Sequence, residues 1–379
     1  MLEGMSRLKC PFCGGALKRN GRTSSGRQRW HCGVCGRSET RHIDNSAKEL
    51  QGFLSWLLSK RMQKDMPGAG RTFRRRNTKF WQIWPFTPII DEVHDVVFVD
   101  GLHLGRKAVV LIACTKTHVL GWYVARSENS NAWAALMSRI APPLLVVSDG
   151  GSGFRKAKAA IWPTTQVQRC TFHAYNQVKR YTTMNPRLLA GRELLRVGTD
   201  LLHVEDVDAS LSWLTEFNDW CVKWQYFLDE QTIDEHGNIT FTHEKLINAR
   251  NCLIRLIKSG NLFTYLDPGL VESSLTSLPA MNNQIEGAVN AQLREILRNH
   301  RGMRLTRRIK AIFWWCYTHS ENPAPPAEIL RIMPTDEQLE QLYHYQEQTH
   351  QTQRNLPGWG DAITWNELHH TTPLNNTWD

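Results

Sequence analysis

The chain has 379 residues, with 46 Lys and Arg against 36 Asp and Glu, giving a formal charge of +10 and a pI near 9.2. Hydrophobic residues make up 41% and charged residues 22%, the composition of an ordinary globular protein of two or three domains, which excludes a disordered or fibrous chain. No stretch approaches the ~18 consecutive apolar residues of a spanning helix and the first residues lack the apolar core of a signal peptide, so a soluble, cytoplasmic protein with no membrane partner is expected.

The charge is concentrated at the front. Residues 1–90 hold 18 Lys and Arg against 5 Asp and Glu, whereas residues 320–379 hold 2 against 9 and read as an acidic tail. A basic block associates with a polyanion by releasing condensed counterions, so nucleic acid is the first partner to consider, with a merely solvated cationic face as the plainer alternative.

Four of the nine cysteines form two CxxC pairs, Cys10 with Cys13 and Cys32 with Cys35. Each pair suits one zinc knuckle, because the Gly after its second Cys lets backbone N–H groups turn toward sulfur, and two knuckles joined by a hairpin close a structural Zn²⁺ site with four thiolates. The segment is too polar to hold a core without the metal. This predicts a zinc ribbon over residues 1–43, with Lys18, Arg19, Arg22, Arg27 and Arg29 along its hairpin and Trp30 packed on a knuckle. Cys114, Cys221, Cys252 and Cys316 read as small buried hydrophobes.

In residues 44–85, Leu50, Phe53, Leu54, Leu57 and Leu58 recur at helical spacing. After the Pro67-Gly68-Ala69-Gly70 break comes a basic stretch from Arg71 to Trp81. Helix, turn and basic helix outline a helix-turn-helix, with Arg71, Arg74, Arg75, Arg76 and Lys79 as candidate DNA contacts; a basic linker arm is the competing reading.

Beyond Pro85 and Pro88 the period becomes extended. Asp95 to Asp100 is an apolar run closed by an acid, Ala108–Ala113 and Val119–Val124 continue it, and Leu144 to Asp149 is a second apolar run closed by an acid. With helices at Asn131–Ile140 and Phe154–Ile161 and a last strand at Gln166–Phe172, the order is β-β-β-α-β-α-β. That is the ribonuclease H-like plan, an α/β fold with a mixed five-stranded sheet in which the first and fourth strands are neighbours. Neighbouring strands ending in Asp100 and Asp149 can share a divalent ion, although an Asp before Gly is more often a simple turn former. A third acid is expected on a later helix. Glu286 is the candidate, one turn from Asn282 and from Asn290, with capping by Asn282 or Asn283 and the helix dipole as the local alternative explanation. Glu295 looks like a surface partner of Arg298. Residues 175–280 read as an all-α insertion, where Trp213, Phe217, Trp220, Trp224 and Phe227 form a core stripe and Thr232–Thr242 a hairpin.

These residues resemble a family. Val-Phe-Val-Asp100-Gly, Val-Val-Ser-Asp149-Gly, Gln168-Arg169-Cys170-Thr-Phe-His173 and Asn282-Asn283-Gln-Ile-Glu286-Gly with Asn290 are similar to the signatures of bacterial insertion-sequence transposases of the Mutator-like superfamily. His300-Arg301-Gly302-Met303 resembles a zinc-ribbon-bearing branch of it. The resemblance implies a ribonuclease H-like core in residues 90–174 and 281–319, and Asp100, Asp149 and Glu286 as catalytic ligands of Mg²⁺ or Mn²⁺ in a two-metal DDE mechanism. It also implies terminal inverted repeats and target DNA as partners, a homo-oligomeric synaptic complex at the nucleoid, and places for Cys170 and His173 near the active site. From the residues themselves, His173 either orients a DNA phosphate or an acid, or is a hydrogen-bonded neighbour of a packed Cys170. Arg301 is a candidate contact to the element end. A DNA-binding relict without activity and a nuclease or resolvase without strand transfer are the alternative functions; three acids favour catalysis over the first, and the long insertion favours transposition over the second.

Overall fold

The computed structural model describes residues 8–40, 44–233 and 237–349, and it divides into two compact units, Met1–Gly52 and Phe53–Asp379. Within the first, β1 (Leu17–Arg22), β2 (Gln28–Cys32) and β3 (Ser38–Thr40) form an antiparallel sheet in that order. Leu17 stands opposite Cys32, and its small core is Cys10, Leu17 and Cys32 with Leu8 and Trp30 packed against it. So few apolar side chains cannot offset the entropy of ordering the strands, which is why the cysteines matter.

Helix α1 (Ser46–Leu57) runs from the first unit into the second and is followed by α2 (Ala69–Asn77). In the second unit Phe53 packs edge-on to Trp81 at 5.1 Å and Trp56 to Phe73 at 5.2 Å, so the apolar face predicted for the first helix is real and includes Trp56. Phe73 and Asn77 are the buried side of α2, and Asn77 Nδ2 donates to the Phe73 carbonyl.

The centre of this unit is a mixed five-stranded sheet. Its strands are β4 (Val96–His103), β5 (Val109–Cys114), β6 (Val119–Ala125), β7 (Leu145–Ser148) and β8 (Gln166–Arg169), in the order β6-β5-β4-β7-β8. The pairs β4–β5 and β5–β6 are antiparallel, and β4–β7 and β7–β8 are parallel. Every residue of β5 and β6 is buried, as continuous runs without a charged residue allow in strands covered on both faces. Helices α3 (Ser130–Met137), capped by the Asn129 side chain on Ala132 N, and α4 (Ser152–Ile161) pack together over the sheet through Trp133 and Phe154. First and fourth strands are adjacent, as the sequence pattern requires. Two ends differ from it: β4 continues to His103, and β8 stops at Arg169, so Phe172 and His173 are helical.

Next come α5 (Thr171–Thr182), α6 (Leu189–Asp200), α7 (Val207–Leu228), the hairpin β9 (Gln231–Ile233) and β10 (Ile239–Phe241), α8 (Glu244–Lys258) and α9 (Pro268–Ser273). Trp213, Phe217 and Trp220 stack in series along α7, and both indole N–H groups donate to α6 carbonyls, which makes the stripe core rather than a base-stacking platform. A π-helical segment, Gln284–Asn290, runs straight into α10 (Ala291–Asn299), followed by α11 (Leu305–Thr318), α12 (Pro326–Ile332) and α13 (Asp336–Thr349). The front of the expected acidic tail is thus folded: Ile329, Met333 and Leu339 are buried, and Trp84 N donates to the Pro334 carbonyl. Residues 350–379 of that tail lie outside the described residues.

Candidate active site

The register of the parallel pair brings two acids together. Phe98 stands opposite Val147, so Asp100 and Asp149 each lie two residues past the last pair at the carboxyl edge of adjacent strands. Asp100 Oδ1 accepts the Gly101 N–H at 2.9 Å and Oδ2 accepts Asn290 Nδ2 at 2.6 Å, which fixes the carboxylate. Burial pushes Asp100 up to about 7; the Gly101 N–H opposes this, while the charges of Asp149, Glu286 and Glu128 add to it. Asp149 Oδ1 accepts the Gly151 N–H at 3.2 Å.

Glu128 is an acid that sequence reasoning missed. Its carboxylate lies against Gly101, where a Cβ would overlap it, and it accepts from His103 Nε2 at 2.8 Å. Burial first, and Asp149 next, raise it above its ordinary value. It sits in a short loop before α3, and no periodicity or motif in the sequence marks such a residue; only the fold carries it to the other acids.

The third acid is held by the π-helical segment. Asn282 and Asn290 are wholly buried and act as two pegs: Asn282 Nδ2 donates to the Val99 carbonyl at 3.1 Å and Asn290 Nδ2 to Asp100. Neither Asn282 nor Asn283 caps the segment by its side chain, so the capping explanation for this cluster is replaced by attachment to β4. A π-helix is uncommon and is found disproportionately at functional sites, because its extra residue per turn re-aims side chains. Glu286 lies between the pegs, with Oε1 3.2 Å from His173 Nδ1 though not aligned as a hydrogen bond. Cys170 is buried and accepts the Asn282 N–H on Sγ at 3.2 Å, tying the start of α5 to the start of the π segment. Burial raises its thiol, so it is a poor nucleophile. Cys170, His173 and Glu286 gather within 4.8 Å of one another. Among the described residues, Asp100, Asp149 and Glu286 do not gather so closely and interact through charge.

Beside the acids is a basic groove of about 620 Å³, lined by Leu102 and His103 of β4 and by Arg294, Arg298, Arg301 and Arg308. Arg301 is the DNA contact expected from the sequence; Arg294 and Arg298 precede it at helical spacing and are legible as a cationic stripe. His300 anchors this corner: its Nε2 donates to the Leu57 carbonyl at 2.9 Å and its ring meets Trp56 at 4.6 Å. Glu295 pairs with Lys60 at 2.6 Å rather than mainly with Arg298. On α2 and the turn after it, Arg71, Arg74, Arg75, Arg76 and Lys79 are all exposed.

In the ribbon, Cys10, Cys13, Cys32 and Cys35 place their sulfurs within 4.8 Å of one another, a set that could hold one metal ion. Gly14 and Gly36 take the left-handed φ values of 72° and 71° that the knuckle turn demands. The Cys35 and Val34 N–H groups lower the Cys32 thiol to about 6. At Cys13 the Gly15 N–H pulls downward, but Cys32 and Cys35 outweigh it and push the thiol up to about 12. The four sulfurs could therefore share one cation, and tetrahedral Zn²⁺ suits the donors.

The second unit has a mixed sheet that collects acids at one edge beside a basic groove, and the first unit carries a four-cysteine cluster; each is a feature expected of a nucleic-acid-handling protein. Residues 39–261, more than half of the chain, match the family model for the transposase of the Mutator family, and the chain belongs to that family. The match ends before Glu286. A probable transposase for an insertion sequence element from Corynebacterium diphtheriae is 25% identical over 171 residues, 41% of this chain and 49% of the relative. The transposase for insertion sequence element ISRM3 from Rhizobium meliloti (strain 1021) is 22% identical over 191 residues, 46% of each. The chain spans about half the length of the curated relatives it matches. Among the described residues no helix is long and apolar enough to cross a membrane.

Proposed function

We propose that the protein is a DDE transposase with a ribonuclease H-like core, which hydrolyses a phosphodiester at each element end and joins the freed 3′-hydroxyl to target DNA. The observation that carries this reading is the half-buried carboxylate of Asp100 at the edge shared by β4 and β7, which burial pushes up to about 7 and the charges of Asp149, Glu286 and Glu128 push the same way. A cation would neutralise acids so arranged, and an all-oxygen donor set suits Mg²⁺ or Mn²⁺. Asp100, Asp149 and Glu286 would hold the metal, which when bound lowers the pKa of the attacking water or hydroxyl and neutralises charge on the leaving oxygen.

The chain's own residues set the stage for in-line displacement. Gly101 N and Asn290 Nδ2 pin both oxygens of Asp100, so its direction is fixed before substrate arrives. His173 faces Glu286 and steers that carboxylate, the acid-orienting role among the two read from the sequence. In hydrolysis, water adds to phosphorus as the 3′-oxygen leaves and takes a proton; in joining, that 3′-oxygen adds to a target phosphorus as the target's own 3′-oxygen leaves and takes a proton. The Arg294–Arg308 groove neutralises phosphates beside the acids, while α2 and the Zn²⁺ ribbon contact terminal repeats. Two copies acting on two ends make a homo-oligomer the working form, at the nucleoid.

Glu286→Gln tests this directly. It should abolish 3′-end cleavage and strand transfer on DNA carrying the element's own ends, with duplex affinity unchanged by fluorescence anisotropy. Full activity in this variant would remove the assignment.

A further inference from the structure

A second basic cavity, of about 420 Å³, opens at Gly150, one residue from Asp149. Arg155 and Lys158 of α4, Arg169 at the end of β8, and Arg255 of α8 line it, and no acid does among the described residues. Arg155 and Arg255 are exposed, while Arg169 is fixed from below: its backbone N–H donates to the Asn261 carbonyl at 2.7 Å, and its Nη1 is buried with no hydrogen-bond partner among the described residues. A guanidinium nitrogen withdrawn from water without an acceptor is costly, and a cavity where three more cations converge is where an acceptor would come from. Position 150 is shaped to leave room. Its φ is +80°, and a Cβ there would come within 2.7 Å of Arg169 Nη1.

We propose that this cavity binds a backbone phosphate of DNA, so that the strand crossing the acids is gripped on the Asp149 side by Arg155, Arg169 and Arg255 as well as in the Arg294–Arg308 groove. The proposal rests on the transposase reading above and adds a site to it. Its cations come from α4, from the end of β8 and from the insertion helix α8, so binding there also gives the insertion a direct part in holding substrate. Three features favour a DNA phosphate over a small free anion. The cavity is far larger than one phosphate, it is open along the exposed Arg155 and Arg255, and it adjoins the residue proposed to hold metal. Arg forks match phosphate oxygens in pairs, which a point charge does not.

The test is the salt dependence of DNA binding by the full chain, measured by anisotropy on a fluorescein-labelled random-sequence duplex. The double variant Arg155→Gln/Arg255→Gln should flatten the slope of log Kd against log salt by about 0.9 for each duplex phosphate that the variant no longer neutralises. Arg155→Lys/Arg255→Lys, which keeps the charge, should retain the wild-type slope. A second arm titrates inorganic phosphate into wild type and the Gln variant by calorimetry. A wild-type slope in the Gln variant with an unchanged melting temperature overturns the proposal, and so does loss of inorganic-phosphate binding without any change of slope, which would make the cavity a free-anion site. Failure of the wild type to bind any DNA would bring down the transposase reading itself; a wild-type slope in the variant brings down only this cavity's role.

Discussion

Two charges in this protein, one buried and one half-buried, are settled in opposite ways. Lys310 is 1% exposed, yet it donates to Asp336 Oδ1 and to the Trp81 carbonyl and lies 4.4 Å from the centre of the Trp84 ring, whose N–H also donates to Asp336. Burial pulls its ammonium down to about 8, and Asp336 opposes that. Asp100 also has two hydrogen bonds, but its nearest charges are Asp149, Glu286 and Glu128, all of its own sign. The first charge is neutralised inside the fold and belongs to structure. Under the proposed function the second is met by a cation that the chain does not itself supply, which would be how a site of function differs from a site of stability at the level of electrostatics.

The largest expected effect falls on the settled charge. Asp336→Ala leaves the Lys310 ammonium buried without its counter-ion and should cost about 3–5 kcal/mol of stability by denaturant titration. A loss below about 1 kcal/mol, the size of an exposed pair, would break the contrast. Asp100→Asn should act in the other direction, relieving repulsion and raising the stability of the protein in chelator by about 1–2 kcal/mol while abolishing cleavage. Destabilisation there would mean that the carboxylate serves the fold. The smallest effect concerns His300, a half-buried ring whose proton affinity burial lowers. The unfolded chain takes up that proton below its usual pKa of about 6.5, so stability from this group is present above that pH and is lost as pH falls through it. His300→Gln should remove this part of the acid sensitivity, at a cost of about 1 kcal/mol for the Leu57 hydrogen bond. An unchanged acid limb in thermal melts would sink that account.

What the sequence made legible follows the range of the interactions. The knuckle cysteines are brought together by tight local turns, so spacing alone identifies them. Asp100 and Asp149 were legible because each closes an apolar run in the sequence, and the strand order makes the strands that carry those runs neighbours. Glu286 was legible only through the repeat of Asn282, Glu286 and Asn290, and the reason for the repeat was not capping but two side-chain pegs into β4, a long-range fact. Cys170 reads as a motif, yet its partner is a backbone N–H 112 residues away. Glu128 and the Lys310–Asp336 pair left no trace in local pattern, since nothing in a short window says which side chain will be carried to which.

The central claim is that the acids at the edge of β4 and β7 are a divalent-metal site. It is tested most directly by the melting temperature of the zinc-loaded protein with and without Mn²⁺. A ligand that binds only the folded chain stabilises it by mass action. Mn²⁺ should therefore raise the melting temperature of the wild type and leave that of Asp100→Asn unmoved, whereas an equal shift in both, or none in the wild type, would contradict the account.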